Sequence, residues 1–136
     1  MGQTLQYTCF NCGYHRSFQM GRGFHDPYHG TQEAQLKAIS ASIRRKAMRE
    51  TMIDLIVNHH GVVDDFRVAV FRCDDCGKFL NPQHITMNSD LGVYETRYTC
   101  CGKAMTEIPE EQVDSVMKTC PRCGQSLSIG LSIFWD

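Results

Sequence analysis

Eight cysteines fall into four close pairs, each closed by a glycine: Cys9/Cys12-Gly13, Cys73/Cys76-Gly77, Cys100/Cys101-Gly102 and Cys120/Cys123-Gly124. Two intervening residues let both sulfurs of a pair reach one ion, and the trailing glycine permits the left-handed turn that folds backbone amides toward them. The count is that of two tetrahedral four-thiolate centres, so all eight cysteines are candidate metal ligands, with two zinc ions as the expected occupants. Disulfides are the competing use of an even cysteine number. The opening MGQTLQYTCF has no basic stretch followed by an apolar run, and no run of about 18 apolar residues suggests a membrane span. A reducing cytoplasm is therefore expected, where thiols stay available as thiolates.

Four pairs make two centres in three ways. Eighteen residues separate Cys101 from Cys120, a typical zinc-ribbon spacing. Sequential pairing is favoured on that ground, with Cys9/Cys12 joining Cys73/Cys76 across sixty residues; loop-closure entropy grows slowly enough to allow it. The alternative closes the second pair on the third and brings the two chain ends together. Adjacent Cys100 and Cys101 are irregular, because neighbouring side chains on a strand point to opposite faces. A tight turn brings both sulfurs to one metal; otherwise His84, Asp90 or water must complete the tetrahedron.

The elements that must position these ligands are legible in part. Thr4–Thr8 and Tyr14–Phe18 read as a hairpin around the first knuckle. The Gly- and Pro-rich stretch from Met20 to Gly30 reads as a loop, and its His25 and His29 are surplus to two filled centres. Thr31 caps a helix running to about His60, with Gly61 as its stop. Leu36, Ile39, Ile43 and Ala47 share one side of that helix, while Met48, Met52, Leu55 and Ile56 lie half a turn away. Either the helix breaks near Ala47 or both sides are gripped. His59 and His60 suit its C-terminal dipole. Strands follow around Phe66–Phe71, Lys78–Leu80 and Gly92–Thr99, a short helix around Pro109–Met117, and a closing strand over Gln125–Trp135 with Trp135 in the core.

The strings Tyr7-Thr8-Cys9-Phe10-Asn11-Cys12-Gly13-Tyr14 and Cys120-Pro121-Arg122-Cys123-Gly124 resemble rubredoxin knuckles. Rubredoxins place iron between two such loops and pass single electrons, so the resemblance implies an iron electron carrier as the alternative. With Ile133-Phe134-Trp135-Asp136 at the end, the arrangement resembles small uncharacterised bacterial zinc-ribbon proteins. That likeness implies a zinc ribbon and no activity.

Net charge is −1, but residues 14–49 sum to +5 and residues 50–136 to −6. Arg44, Arg45, Lys46 and Arg49 are the candidate nucleic-acid contacts. A solvated helix face is the simpler reading of them. No Ser/His/Asp set, paired-carboxylate signature or HExxH string is present, so no enzyme is expected. The expected protein is α+β, with two zinc ribbons of short antiparallel strands around one long helix. Residues 1–61 form the first knuckle plus helix and residues 62–136 the zinc-ribbon region, together one compact unit. Its expected role is a protein or nucleic-acid interaction or regulatory module, with a protein partner favoured.

Overall fold

Strand formation begins where apolar and polar residues alternate. The computed structural model describes residues 2–21 and 31–130 and the backbone of residues 133–135. The expectations for His25, His29 and the Trp135 side chain lie outside the described residues. Along the chain the elements are β1 (Gly2–Thr8), β2 (His15–Gly21), α1 (Gln32–Ser42), α2 (Lys46–Asn58), β3 (Val62–Val68), β4 (Val70–Arg72), β5 (Phe79–Leu80) and β6 (Gln83–Ser89). They continue with β7 (Gly92–Glu95), β8 (Thr99–Cys100), β9 (Lys103–Ala104), β10 (Thr106–Ile108), α3 (Val113–Val116), β11 (Ser128–Ile129) and β12 (Ile133–Trp135). A 3-10 turn over Glu110–Gln112 leads into α3.

The chain divides into two compact units whose segments interleave. The first comprises Met1–Gly23, Val68–Pro82 and Tyr98–Asp136; the second comprises Phe24–Arg67 and Gln83–Arg97. All eight cysteines belong to the first.

In the first unit β1 is paired on both edges. One edge meets β2 from Gly2↔Gly21 to Thr8↔His15; the other takes β11 at Tyr7↔Ile129 and β12 at Thr4↔Ile133. Leu5, Tyr7, Phe18 and Met20 therefore fall on one face, where they pack with Val70, Ile108, Val113 and Met117. Each such side chain contributes about 1.5–3 kcal/mol on burial. The Tyr7 hydroxyl donates to Asp114 Oδ1 at 2.5 Å, which fastens α3 to β1, and burial followed by that carboxylate raises the phenol pKa. β4 lies between β10 and β5. Asn81, after β5, bonds the backbone of both Gln19 and Ala69 at 2.7–2.8 Å. The alternation expected through Gln125–Trp135 holds only in part, since Leu127 packs on the core while Ile129 is exposed.

The second unit overturns the expectation of one long helix. Strand is the main regular structure of the protein, and its helical residues form three short helices among the described residues. The α+β picture of ribbons around a single long helix is thus replaced by a predominantly β fold. Thr31 does cap α1, accepting from the Ala34 N–H at 3.2 Å. The helix then stops at Ile43, whose backbone is extended at φ −96° and ψ 113°, and α2 starts after Arg45. The two apolar stripes explain the break. Ile39 and Ile43 cannot lie on the same side of a straight helix as Met52, Leu55 and Ile56, but two helices bury both stripes with Val63, Ile85 and Met87. Here β3, β6 and β7 lie side by side; β6 was not foreseen.

The break needs its carbonyls satisfied. Arg49 Nη1 donates to the Ile43 carbonyl at 3.1 Å. At the far end of α2 the left-handed residue is His60, at φ 55°, and the Gly61 N–H returns to the Leu55 carbonyl at 2.8 Å. Gly61 is required for a different reason: a Cβ there would sit 2.8 Å from the Leu55 carbonyl carbon and oxygen. His59 and His60 reach side chains instead of helix carbonyls, His59 to Asp54 at 3.5 Å and His60 to Asp90 at 2.6 Å. The Asp90 hydrogen bond and its charge raise the His60 pKa.

Arg49→Met should therefore lower stability in urea unfolding by about 1–3 kcal/mol, the cost of an unmet carbonyl on a buried residue. Arg44→Met, at an exposed neighbour, should change it by less than about 0.5 kcal/mol. Gly61→Ala should cost about 1–3 kcal/mol through overpacking against Leu55.

Candidate metal centres

Three of the four cysteine pairs fold into the same turn. The first cysteine's N–H reaches the carbonyl five residues on, and the glycine N–H returns to the first cysteine's carbonyl. These bonds are Cys9 to Tyr14 and Gly13 to Cys9 at 2.8 and 2.9 Å, Cys73 to Lys78 and Gly77 to Cys73 at 2.8 and 2.9 Å, and Cys120 to Gln125 and Gly124 to Cys120 at 2.7 and 2.9 Å. Gly13, Gly77 and Gly124 hold φ between 76° and 80°, the left-handed region a side chain would strain. The sequence Cys-x-x-Cys-Gly builds this knuckle locally, whatever lies opposite it.

The fourth pair is a different device. Cys100 ends β8 and pairs with Lys103 of β9, leaving Cys101 and Gly102 as a two-residue hairpin loop. Both have positive φ, 54° and 74°, as in a type I′ turn. That turn rotates Cys101 away from strand alternation, so the adjacent sulfurs lie 3.9 Å apart. The tight turn needed for two-thiolate ligation is therefore present. His84 and Asp90 are occupied elsewhere, His84 with Glu95 at 3.0 Å and Asp90 with His60.

The sulfurs converge in two groups: Cys9, Cys12, Cys120 and Cys123, and Cys73, Cys76, Cys100 and Cys101, each with all four ligand atoms within 4.8 Å of one another. We call them the terminal and middle centres. This corrects the sequential pairing expected from spacing; the second pair closes on the third and the chain ends meet. The reason is β1, whose outer edge takes β11 at Tyr7 and Thr8 and so delivers the fourth knuckle beside the first. Loop entropy opposes this by only about 0.7 kcal/mol, less than one good hydrogen bond contributes.

The fit to a metal can be tested on edge lengths. A tetrahedron with metal–sulfur bonds of about 2.3 Å has sulfur–sulfur edges of about 3.8 Å. The observed contacts are 3.5 Å for Cys9–Cys123, 3.6 Å for Cys12–Cys120, 3.6 Å for Cys76–Cys100 and 3.9 Å for Cys100–Cys101. The residues fit a divalent ion in each group. Two contacts escaped sequence reading: Asn11 Nδ2 donates to Cys123 Sγ at 3.6 Å and the Arg122 N–H to Cys120 Sγ at 3.4 Å. Their positions between paired cysteines were the available signal. Beside the middle centre, Thr106 of β10 donates to Asp74 at 2.8 Å and Lys103 of β9 to Asp75 at 3.4 Å, which ties the knuckle to the two strands that follow Cys100 and Cys101.

Electrostatics shows why these groups call for a cation. The Gln125 N–H, then the Asn11 amide, lowers the Cys123 pKa to about 6; the Cys76 N–H, then that of Asp75, lowers Cys73 to about 7. Cys101 and Cys12 move the other way. The thiols of Cys76, Cys73 and Cys100 push Cys101 up to about 12. At Cys12 the Tyr14 backbone lowers the value, but burial and the thiols of Cys120, Cys123 and Cys9 outweigh it, leaving about 12. Accumulating negative charge thus blocks the last deprotonation until a divalent ion compensates it.

The candidate nucleic-acid residues lie at the α1–α2 break in the second unit. Arg44, Arg45 and Lys46 are exposed, Lys46 is 3.9 Å from Glu50, and Arg49 is the carbonyl donor described above. Among the described residues no helix is long and apolar enough to cross a membrane.

Because Cys12 and Cys101 are protonated at neutral pH, metal uptake at pH 7.5 should release at least one proton per ion, read by calorimetry in buffers of different ionisation enthalpy. Thiolate is the binding form, so affinity should fall as pH drops through the values of Cys73 and Cys123. These centres stand on their own geometry, since no protein-family model, curated protein or solved structure matches the chain.

Proposed function

We propose that the chain is a zinc protein whose two four-cysteine centres are structural fasteners of an interaction module working in the reducing cytoplasm. The carrying observation is the convergence of eight sulfurs into two groups of tetrahedral edge length. Four thiolates fill a tetrahedral ion, leaving no position for water or substrate, which supports a holding role over catalysis.

A second reading applies to the terminal centre alone. Two Cys-x-x-Cys-Gly knuckles face each other there, the rubredoxin-like arrangement, and iron in that centre would carry single electrons. The adjacent Cys100 and Cys101 set the middle centre apart. Native mass spectrometry of protein made without added metal separates the readings. Two zinc ions per chain support the fasteners; one iron with visible colour promotes the electron carrier; a folded chain without metal overturns both.

A protein partner is favoured by large apolar side chains left in solvent: Phe10 at the tip of the first knuckle is 85% exposed, and Leu91 and Val93 of the β6–β7 hairpin are 70% and 71% exposed. The nucleic-acid alternative rests on Arg44, Arg45 and Lys46, since Arg49 is committed to the Ile43 carbonyl. Oligonucleotide affinity at physiological salt should therefore be negligible; salt-sensitive binding that R44E and K46E abolish would transfer the reading to nucleic acid.

A further inference from the structure

The two centres differ in the access they give to a reagent. In the terminal centre Cys9 and Cys120 are buried and Cys12 and Cys123 are half-buried, so none of the four is exposed. In the middle centre Cys76 and Cys101 are exposed, Cys100 is half-buried, and Cys73 alone is buried. Proximity does not distinguish them, since both contain sulfur pairs 3.5–3.6 Å apart from different segments of chain. Access does, because thiolate oxidation follows exposure.

We propose that the middle centre is a peroxide-sensitive release site: a hydroperoxide joins Cys76 to Cys100 as a disulfide and the ion leaves, while the terminal centre keeps its own. The inference rests on both centres being metal-loaded. The Cys76 thiolate attacks the peroxide oxygen; an S–O bond forms, the O–O bond breaks, and hydroxide or alkoxide departs. The Cys100 thiolate then attacks the Cys76 sulfur, forming the S–S bond and expelling the second oxygen as hydroxide. Two thiolates lose two electrons in total, the peroxide gains them, and solvent protons neutralise the oxyanions. Cys73 and Cys101 remain as two ligands, too few to retain the ion.

Cys76 is the entry point because it is exposed and lies 3.6 Å from Cys100. Cys101 is also exposed, but a bond to its neighbour Cys100 would close a small ring across one peptide link. Loss of the ion leaves the β8–β9 hairpin, which has two residues per strand, held to the knuckle by the new disulfide and the Lys103–Asp75 contact. The terminal centre is secured by β1 pairing on both edges. The proposed output is therefore loss of the ion and exposure of the Cys73 and Cys101 thiols, with the hairpin kept on the knuckle by the new disulfide.

The test is native mass spectrometry of the full chain during titration with hydrogen peroxide, followed by peptide mapping of disulfides. The expected course is two ions before oxidant, then one, with a Cys76–Cys100 link, the first ion leaving at least about tenfold faster than the second. Thiol reductant with added zinc should restore the second ion. Simultaneous loss of both ions, earlier loss from the terminal centre, or a first link other than Cys76–Cys100 would overturn the inference while leaving the metal reading intact. Absence of metal before peroxide would overturn the metal reading, and the inference with it.

Discussion

Four sulfurs within 4.8 Å of one another cannot all be anions unless something positive stands among them. That constraint organises the first unit. With a divalent ion present, mutual repulsion becomes shared attraction, and each centre contributes on the order of 10 kcal/mol to folding at neutral pH. Elements too short to persist alone then become usable. β8, β9 and β11 have two residues each, well below the length at which strands are independently stable. The first two lie beside ligands of the middle centre, and the third follows a knuckle of the terminal one.

Among its described residues the second unit holds no such cluster and relies on packing. Ile39, Ile43, Met52, Leu55, Ile56, Val63, Ile85 and Met87 form its core, with Gln35 buried among them and accepting from the Val63 N–H at 3.3 Å. The broken helix is the cost of that core. Two stripes on opposite sides of one helix would leave one of them in water, whereas three non-helical residues and one arginine donor let both be buried. The basic cluster at the break is thus divided in purpose. Arg49 holds the backbone, and its neighbours remain exposed.

Legibility followed the range of the interaction. The knuckles were readable because Cys-x-x-Cys-Gly encodes its own turn, and the Thr31 cap because a hydroxyl before a helix satisfies a nearby N–H. Pairing of the knuckles was not readable from spacing, since loop closure separates the alternatives by less than 1 kcal/mol or so. The deciding term was long-range: β11 and β12 on the outer edge of β1. The alternation of Leu127, Ile129 and their successors hinted at a strand but could not name its partner. The role of Cys101 was readable as a condition, a tight turn before Gly102, and the hairpin satisfies it. The helix break was visible as a conflict of faces, and its position at Ile43–Arg45 emerged only with the core it serves.

X-ray absorption at the metal edge of the purified chain tests the central claim most directly, because it reports the atoms bound to the ion. The account predicts four sulfur neighbours at about 2.3 Å around the metal, with two ions per chain. A first shell containing nitrogen or oxygen in place of sulfur, or a folded chain with its cysteines joined as disulfides and no metal edge, would contradict it.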